Sequence, residues 1–539
     1  MADQKSGGGN FPTRRDFLKT TGAIAATAAV GMSVPAKSKP KRGGTLRFAT
    51  RVDGRGLDPH RNIIYYVSNP LAPTCMGLLD INLQMEIVPG VASSYEISKD
   101  LKSYTFMLRK GAEYHNGRSI DAESVKWNYE RMMSPKTSHA FTRAGTQVIE
   151  SIKVHDKHSL TFHLKAPNAI FAANTVYYPA NLIAPDSAEQ ADTHPIGCGP
   201  FKFKSWKRYA KTEIVRFENY FETDAEGNPL PYLDGIDGFP KKEDKVRLTA
   251  LRTDEVDMIE NMSYNDTPNF IKNQSQDYNT WGIPQVGTGY LAVQMKEGPF
   301  SMKAGKDGKL MRQALAHAID REGIHQAVFN GISESLTSFY SSTSPWHMEG
   351  VENVKEYDPD KSRSILRKLG ATGTPIAVVA RDTYQYMRNT GELVHSMLLE
   401  AGFKATNEVF DNPVLRKKYD NADYGIDSTA NSYRFEPDGW YARNILSTGS
   451  STTKRTGYKN ERADDLIIQA SQISDIEKRK ELYTEVESIV NDDCGLIYTH
   501  CIPLTSAAHK RVKGYEPAIA GPPSTAGGGV RTAYLDDSA

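Results

Sequence analysis

The sequence predicts an α/β protein with α+β elements and more than one core. Segments with period-two alternation and segments with helical periodicity follow one another along the whole chain. The 539 residues leave room for roughly two to four packing units at about 150 residues each. Hydrophobic residues make up 39% and charged residues 24%, with a mean hydropathy of −0.52, which excludes a disordered or membrane-embedded chain. The net charge of +1 gives no reason to expect nucleic acid as a partner.

The first element is a targeting segment. Residues 1–42 hold eight Lys/Arg and two acids, while the remainder is net −5. Thr13-Arg14-Arg15-Asp16-Phe17-Leu18-Lys19 precedes an uncharged, alanine-rich run over 20–34. That run is shorter than the ~20 residues a spanning helix needs, and Val34-Pro35-Ala36 offers a small-residue cleavage site. The pattern matches a twin-arginine export signal, which assigns residues 1–36 to a signal peptide, a periplasmic destination to the mature chain and the translocase to its export partners. No cysteine follows the apolar run to take a lipid.

Gly43-Gly44-Thr45-Leu46-Arg47-Phe48-Ala49 reads as a first strand, and Tyr104-Thr105-Phe106-Met107-Leu108-Arg109 as a half-buried one. Asn116-Gly117 marks a tight turn. Asp121 caps a helix that Ser134-Pro135 stops. Residues 149–156 and 159–164 form a two-strand signature, and 201–217 is strand-like again. Helices are expected at 245–253, 310–328, 358–369, near 392–401, and over 463–491 with a break near Ser474. A strand is expected at 375–380; the first of these helices leads into 256–259, a new unit opens at 289–294, and a short closing segment follows 496–499.

Catalytic motifs are lacking: no Gly-x-Ser-x-Gly elbow, phosphate loop or dinucleotide fingerprint occurs. His155, His158 and His163 read as surface or edge residues, and no metal-ligand spacing is present, so neither metal nor cofactor is expected. Asp492-Asp493 reads as a solvated pair beside a helix end. Cys75, Cys198, Cys494 and Cys501 permit two disulfides in three pairings, and buried free thiols are the favoured alternative. Aromatic residues in polar settings stand out as cleft candidates: Tyr65-Tyr66, Tyr177-Tyr178, Tyr384 with Tyr386, Tyr433, and Trp440-Tyr441. A ring with a polar handle packs at one end and hydrogen-bonds at the other.

Six segments in order carry a family resemblance: Gly43-Gly44-Thr45-Leu46-Arg47 through Leu57-Asp58-Pro59; Ser103 through Gly111, continuing into Tyr114-His115-Asn116-Gly117; Asp121 through Lys126; Gly197-Cys198-Gly199-Pro200-Phe201-Lys202; Met311 through Arg321; and Tyr357-Asp358-Pro359-Asp360-Lys361. The mature chain resembles the family 5 extracellular solute-binding proteins of ABC importers, the group of dipeptide, oligopeptide and nickel receptors. The resemblance implies a two-lobed fold of the periplasmic binding protein type II kind. Lobe I would comprise 43–78, 189–285 and 506–539, with an extra subdomain at 79–188, and lobe II would comprise 286–505. A small organic solute would be enclosed between the lobes of a monomer and passed to the inner-membrane permease. An exported enzyme, or a sensory or chaperone-like binding protein on the same fold, is the alternative.

The expected ligand-binding residues are Arg51, Tyr66, Tyr129, Phe141, Tyr178, Arg381, Tyr384, Tyr433, Arg434 and Trp440. By the resemblance, Arg381 takes the place of the arginine that grips a ligand carboxylate, which suits a planar, two-pronged guanidinium. Tyr433 stands where peptide-binding members carry an aspartate for the ligand ammonium, and Arg434 beside it disfavours that cation further. The loop 447–453 lacks the histidine of nickel receptors. The ligand expected is therefore a carboxylated, aromatic or polyhydroxylated solute without a free amine.

Overall fold

The computed structural model describes residues 40–51, 53–62, 72–274, 276–518 and 529–538, so the export segment 1–36 and Tyr66 lie outside the described residues. Strand β1 (Thr45–Thr50) is followed by a hairpin of β2 (Leu79–Ile81) and β3 (Ile87–Pro89). Strands β4 (Ala92–Ile97), β5 (Ser103–Leu108), β6 (Ile149–Asp156) and β7 (Ser159–Leu164) make an antiparallel sheet in the order β4-β5-β7-β6. Its core, around Tyr104, Phe106, Tyr129 and Phe162, is built from the span expected to be an extra subdomain.

The chain then returns to β1 through β8 (Phe201–Lys207), β9 (Lys211–Arg216), β10 (Gly235–Pro240) and β11 (Met258–Ile259). Strand β12 (Tyr278–Val293) carries it across to β13 (Pro375–Arg381), β14 (Lys404–Phe410) and β15 (Ile426–Ser432), and β16 (Leu496–His509) brings it back. A small pair, β17 (Val512–Lys513) with β18 (Tyr534–Leu535), closes the fold. One ten-stranded sheet results, in the order β14-β13-β15-β12-β16-β11-β1-β10-β9-β8.

The two lobes share that sheet through β12 and β16 alone. Residues 278–283 of β12 pair with 504–509, residues 287–292 pair with 496–502, and the register slips between Ile283 and Gly287. Pro284, which has no N–H to give the ladder, sits in that slip. Gly287 and Gly289 are needed for close approach: a Cβ would stand 2.6 Å from the Asn431 carbonyl and 2.2 Å from the His500 ring, respectively. Both strands extend well beyond the runs 289–294 and 496–499. From Val286 onward β12 is buried on both faces, as is nearly all of β16, so these stretches lack the alternation that marks a half-buried strand.

Several local expectations hold. Asp121 caps the helix Ala122–Met133 with a reciprocal bond to Ser124, and the helix ends at Ser134. The expected break near Ser474 separates Glu461–Ser471 from Ile476–Asp493. The helix expected at 310–328 is instead two, Gly305–His317 and Arg321–Phe329, because Asp320 caps the second by accepting from the Gly323 N–H. Asp492 and Asp493 are not merely solvated: Lys309 and Lys355 pair with Asp492, and Tyr458 and Asn460 donate to Asp493. All four cysteines are free and buried, and burial pushes the Cys494 and Cys501 thiols up to about 12. Among the described residues, no helix is long and apolar enough to cross a membrane.

Candidate functional site: the cleft between the lobes

A cleft of about 1420 Å³ opens where the two halves of the sheet meet. Val286, Gly287 and Ile502, from the slipped stretch of β12 and from β16, form its floor. Any rotation about the shared strands therefore changes the width of the cleft directly.

On the lobe I side stand Arg51, just past β1, and Asp53, which accepts bonds from the Trp206 indole (2.8 Å) and the Tyr209 backbone. Asp244 is tied to Arg247, and Asp266 accepts from Ser263 at 2.6 Å. These acids are thus already engaged by their own lobe. The Arg51 guanidinium lies 5.7 Å from the ring centre of Tyr384, across the cleft. Tyr384 is the N-cap of the helix Gln385–Glu400, and its ring tilts against Tyr386 at 5.7 Å.

The lobe II wall is basic. Arg381 ends β13 and faces the cleft above Asp427. Asp427 is fully buried, ion-paired to Arg455, and accepts from the Tyr419 hydroxyl at 2.5 Å. Burial works against the Arg381 charge, but Asp427 and Tyr419 more than offset it, so the guanidinium stays protonated. Farther along, just beyond β15, Arg434 donates to the Tyr177 hydroxyl (3.1 Å) and to Asn431 Oδ1 (2.7 Å), and packs 5.0 Å from the Phe141 ring centre. Arg443, on the helix Asp438–Asn444, packs on the same Phe141 ring at 5.5 Å.

Of the residues expected in the site, Arg51, Phe141, Arg381, Tyr384 and Arg434 line the cleft together. Tyr129 instead sits in the subdomain core, edge-on to Phe162 at 4.6 Å. Trp440 is stacked on Phe339 at 4.2 Å, fully buried in lobe II. Tyr433 is buried against Tyr340, and its hydroxyl bonds Ser344 at 2.9 Å. Ser432 and Arg434 line the cleft, while Tyr433 between them turns into the core. Tyr177 lines the cleft, while Tyr178 opens a short helical turn (Tyr178–Ala180) and lies near Cys75 and Asp58. Sequence reasoning missed Arg443 and Asn431. Alternation from Arg434 points to Ser432 rather than Asn431, and Arg443 reads as an ordinary cation in the last turn of a helix.

Two shared strands, a lobe on either side and a charged cleft between them make the geometry of a ligand-binding protein. Residues 86–453 match the family described as "Bacterial extracellular solute-binding proteins, family 5 Middle". The chain belongs to the bacterial extracellular solute-binding proteins of family 5. Residues 12–31 match the twin-arginine translocation signal sequence, so the protein is exported to the periplasm. It is similar to the dipeptide-binding protein of Escherichia coli K12, at 24% identity over 93% of this chain and 97% of that one. It is also similar to the glutathione-binding protein GsiB of Salmonella paratyphi A, at 24% identity over 81% and 85%. Among solved structures, the Helicobacter pylori binding protein DppA in complex with the peptide STSA aligns at TM-score 0.78 and 22% identity, covering 92% of this chain and 99% of that one. Agrobacterium tumefaciens AgaA in complex with agropinic acid aligns at 0.77 and 22%, with the same coverage. These alignments fix the fold as that of a type II periplasmic binding protein.

Proposed function

We propose that this protein is the receptor of an ABC importer, working as a monomer that encloses a small organic anion without a free amine and delivers it to the inner-membrane permease. The moving bodies would be lobe I (43–78, 189–285 and 506–539, with its subdomain 79–188) and lobe II (286–505). The observation that carries the ligand class is the lobe II wall, where Arg381, Arg434 and Arg443 face the cleft and Asp382 is the one carboxylate on that wall among the described residues, Asp53, Glu243, Asp244 and Asp266 standing on the opposite side. A ligand ammonium would meet guanidinium groups there instead of the carboxylate it needs. The relatives named for dipeptides and glutathione, and the neighbour solved with agropinic acid, support a carboxylate-bearing solute.

Native mass spectrometry of the purified protein would identify a retained solute, and recovery of a free dipeptide or a metal chelate would overturn the ligand class. For an acidic solute so identified, Arg381→Ala should weaken binding by roughly 2–5 kcal/mol in calorimetry. Saturating solute should raise Tm and compact the protein in solution scattering; tight binding with an unchanged envelope would sink closure about the shared strands.

A further inference from the structure

Among the described residues, six arginines are buried: Arg131, Arg247, Arg312, Arg434, Arg455 and Arg479. Arg131 is paired with Asp58, Arg455 with Asp427 and Arg479 with Glu436. Arg247 reaches Asp244 and four main-chain carbonyls, and Arg312 donates to the carbonyls of Asp493 and Phe300. Arg434 differs from the rest. Its partners are a phenol and a side-chain amide, its Nε has none, and among the described residues no carboxylate lies in ion-pair range. Arg443 packs on the same ring, its Nε is likewise buried without a partner, and no ion pair compensates it. Burial and the Arg434 charge both act to lower the Arg443 pKa.

Two neighbouring guanidinium groups thus line the cleft with no counter-ion among the described residues. An arginine cannot relieve such a position by losing its proton, so the compensating charge has to come from outside the chain. Arg381 serves a different place on the wall. It ends β13 one step past the Ala380–Ser428 pair, level with Thr429. From there to Arg434 is five residues, about 16 Å of extended backbone.

We propose that Arg434 and Arg443 hold a second anionic group of the solute, so that the ligand is a dianion whose first charge is met by Arg381. This rests on the anion-receptor reading above and narrows it. The second group is an oxyanion, either a carboxylate or a phosphonate- or phosphate-type group, and both suit paired guanidinium forks.

The test is calorimetric titration of the mature protein with the straight-chain diacids from succinate to dodecanedioate, long enough to cover that separation, each against its monomethyl ester, and with 3-phosphonopropionate as the phosphorus arm. At least one dianion should bind about tenfold or more tightly than its monoester. That ratio should fall to about threefold or less in both Arg443→Gln and Arg434→Gln. A purely structural role for either arginine would weaken diacid and monoester alike and leave the ratio intact, which would overturn the proposal. So would equal binding of every diacid and its monoester, or failure of every dianion to bind. The phosphonate arm decides which oxyanion the pair prefers. If monoester binding is untouched by Arg381→Ala, the underlying anion-receptor reading fails instead, and the two failures are thereby distinguished.

Discussion

Arg131 and Arg434 are buried almost equally, at 7% and 8% exposure, yet their surroundings are opposites. Arg131, on the subdomain helix Ala122–Met133, forks onto both oxygens of Asp58, and its Nη1 also reaches His60 Nδ1 at 2.6 Å. His60 completes the set by donating from Nε2 to the Asn181 carbonyl at 2.9 Å. Burial holds its pKa down to about 4, so it remains a neutral acceptor toward Arg131. Every charge there is answered within the chain, and the unit ties the segment after β1 to the subdomain. Arg434 has only neutral partners and faces a cleft. One arginine is part of the scaffold, and the other is left for a ligand to complete.

The sharpest way to break this contrast is to remove each arginine in turn. Arg131→Ala strands the Asp58 carboxylate in a buried site and should cost about 3–5 kcal/mol of folding stability by denaturant titration. Arg434→Ala strands nothing charged and relieves its repulsion with Arg443. Its stability should stay within about 1 kcal/mol of the parent, although ligand binding falls. Equal destabilisation by the two substitutions would show that Arg434 is scaffold too.

Glu487 supplies the mirror image, a buried acid without a cation. The hydroxyls of Tyr441 (2.7 Å) and Tyr498 (3.0 Å) donate to it, its other oxygen has no partner, and burial pushes its pKa up to about 7. Unlike an arginine, a carboxylic acid can escape the same predicament by taking up a proton. Because the folded pKa lies above the ordinary value near 4.3, the unfolded chain ionises first as pH rises. The group's contribution is therefore intact below about pH 4 and is lost as pH rises through about 7, by on the order of 3 kcal/mol. Glu487→Gln should flatten the fall in stability between pH 5 and pH 8 by about that amount. Parallel profiles for parent and variant would mean that Glu487 stays ionised in the fold.

The contrast also marks what the sequence could disclose. Local chemistry was legible: the Asp121 cap, the Ser134-Pro135 stop and the turn at Asn116-Gly117 depend on neighbours a few residues away. The hinge strands were only partly legible, because a strand buried on both faces loses its period-two signature. Within the site, Arg381 stands at the strand end that the sequence places at 375–380, whereas the helix that Tyr384 caps begins at Gln385, ahead of the expected 392–401. Tyr433 and Trp440 were misplaced because aromatic character alone does not say which face of its element a ring occupies. Arg443 was invisible, since its significance comes from Phe141, roughly three hundred residues earlier, and from the absence of an acid nearby.

The smallest expected effect isolates a single bond in the contrast. Tyr177 belongs to the subdomain side of the cleft, and its hydroxyl accepts from Arg434 at 3.1 Å while its ring sits edge-on to Phe141 at 5.5 Å. Tyr177→Phe keeps the ring and deletes only that acceptor, a loss of about 1 kcal/mol. The bond links subdomain to lobe II across the cleft, so its energy should appear in the balance between open and closed forms. Solute dissociation should quicken by up to about fivefold with little change in Tm. If stopped-flow dissociation is unchanged while Tm falls, the bond belongs to the scaffold, and Arg434 moves toward the side of the comparison that Arg131 occupies.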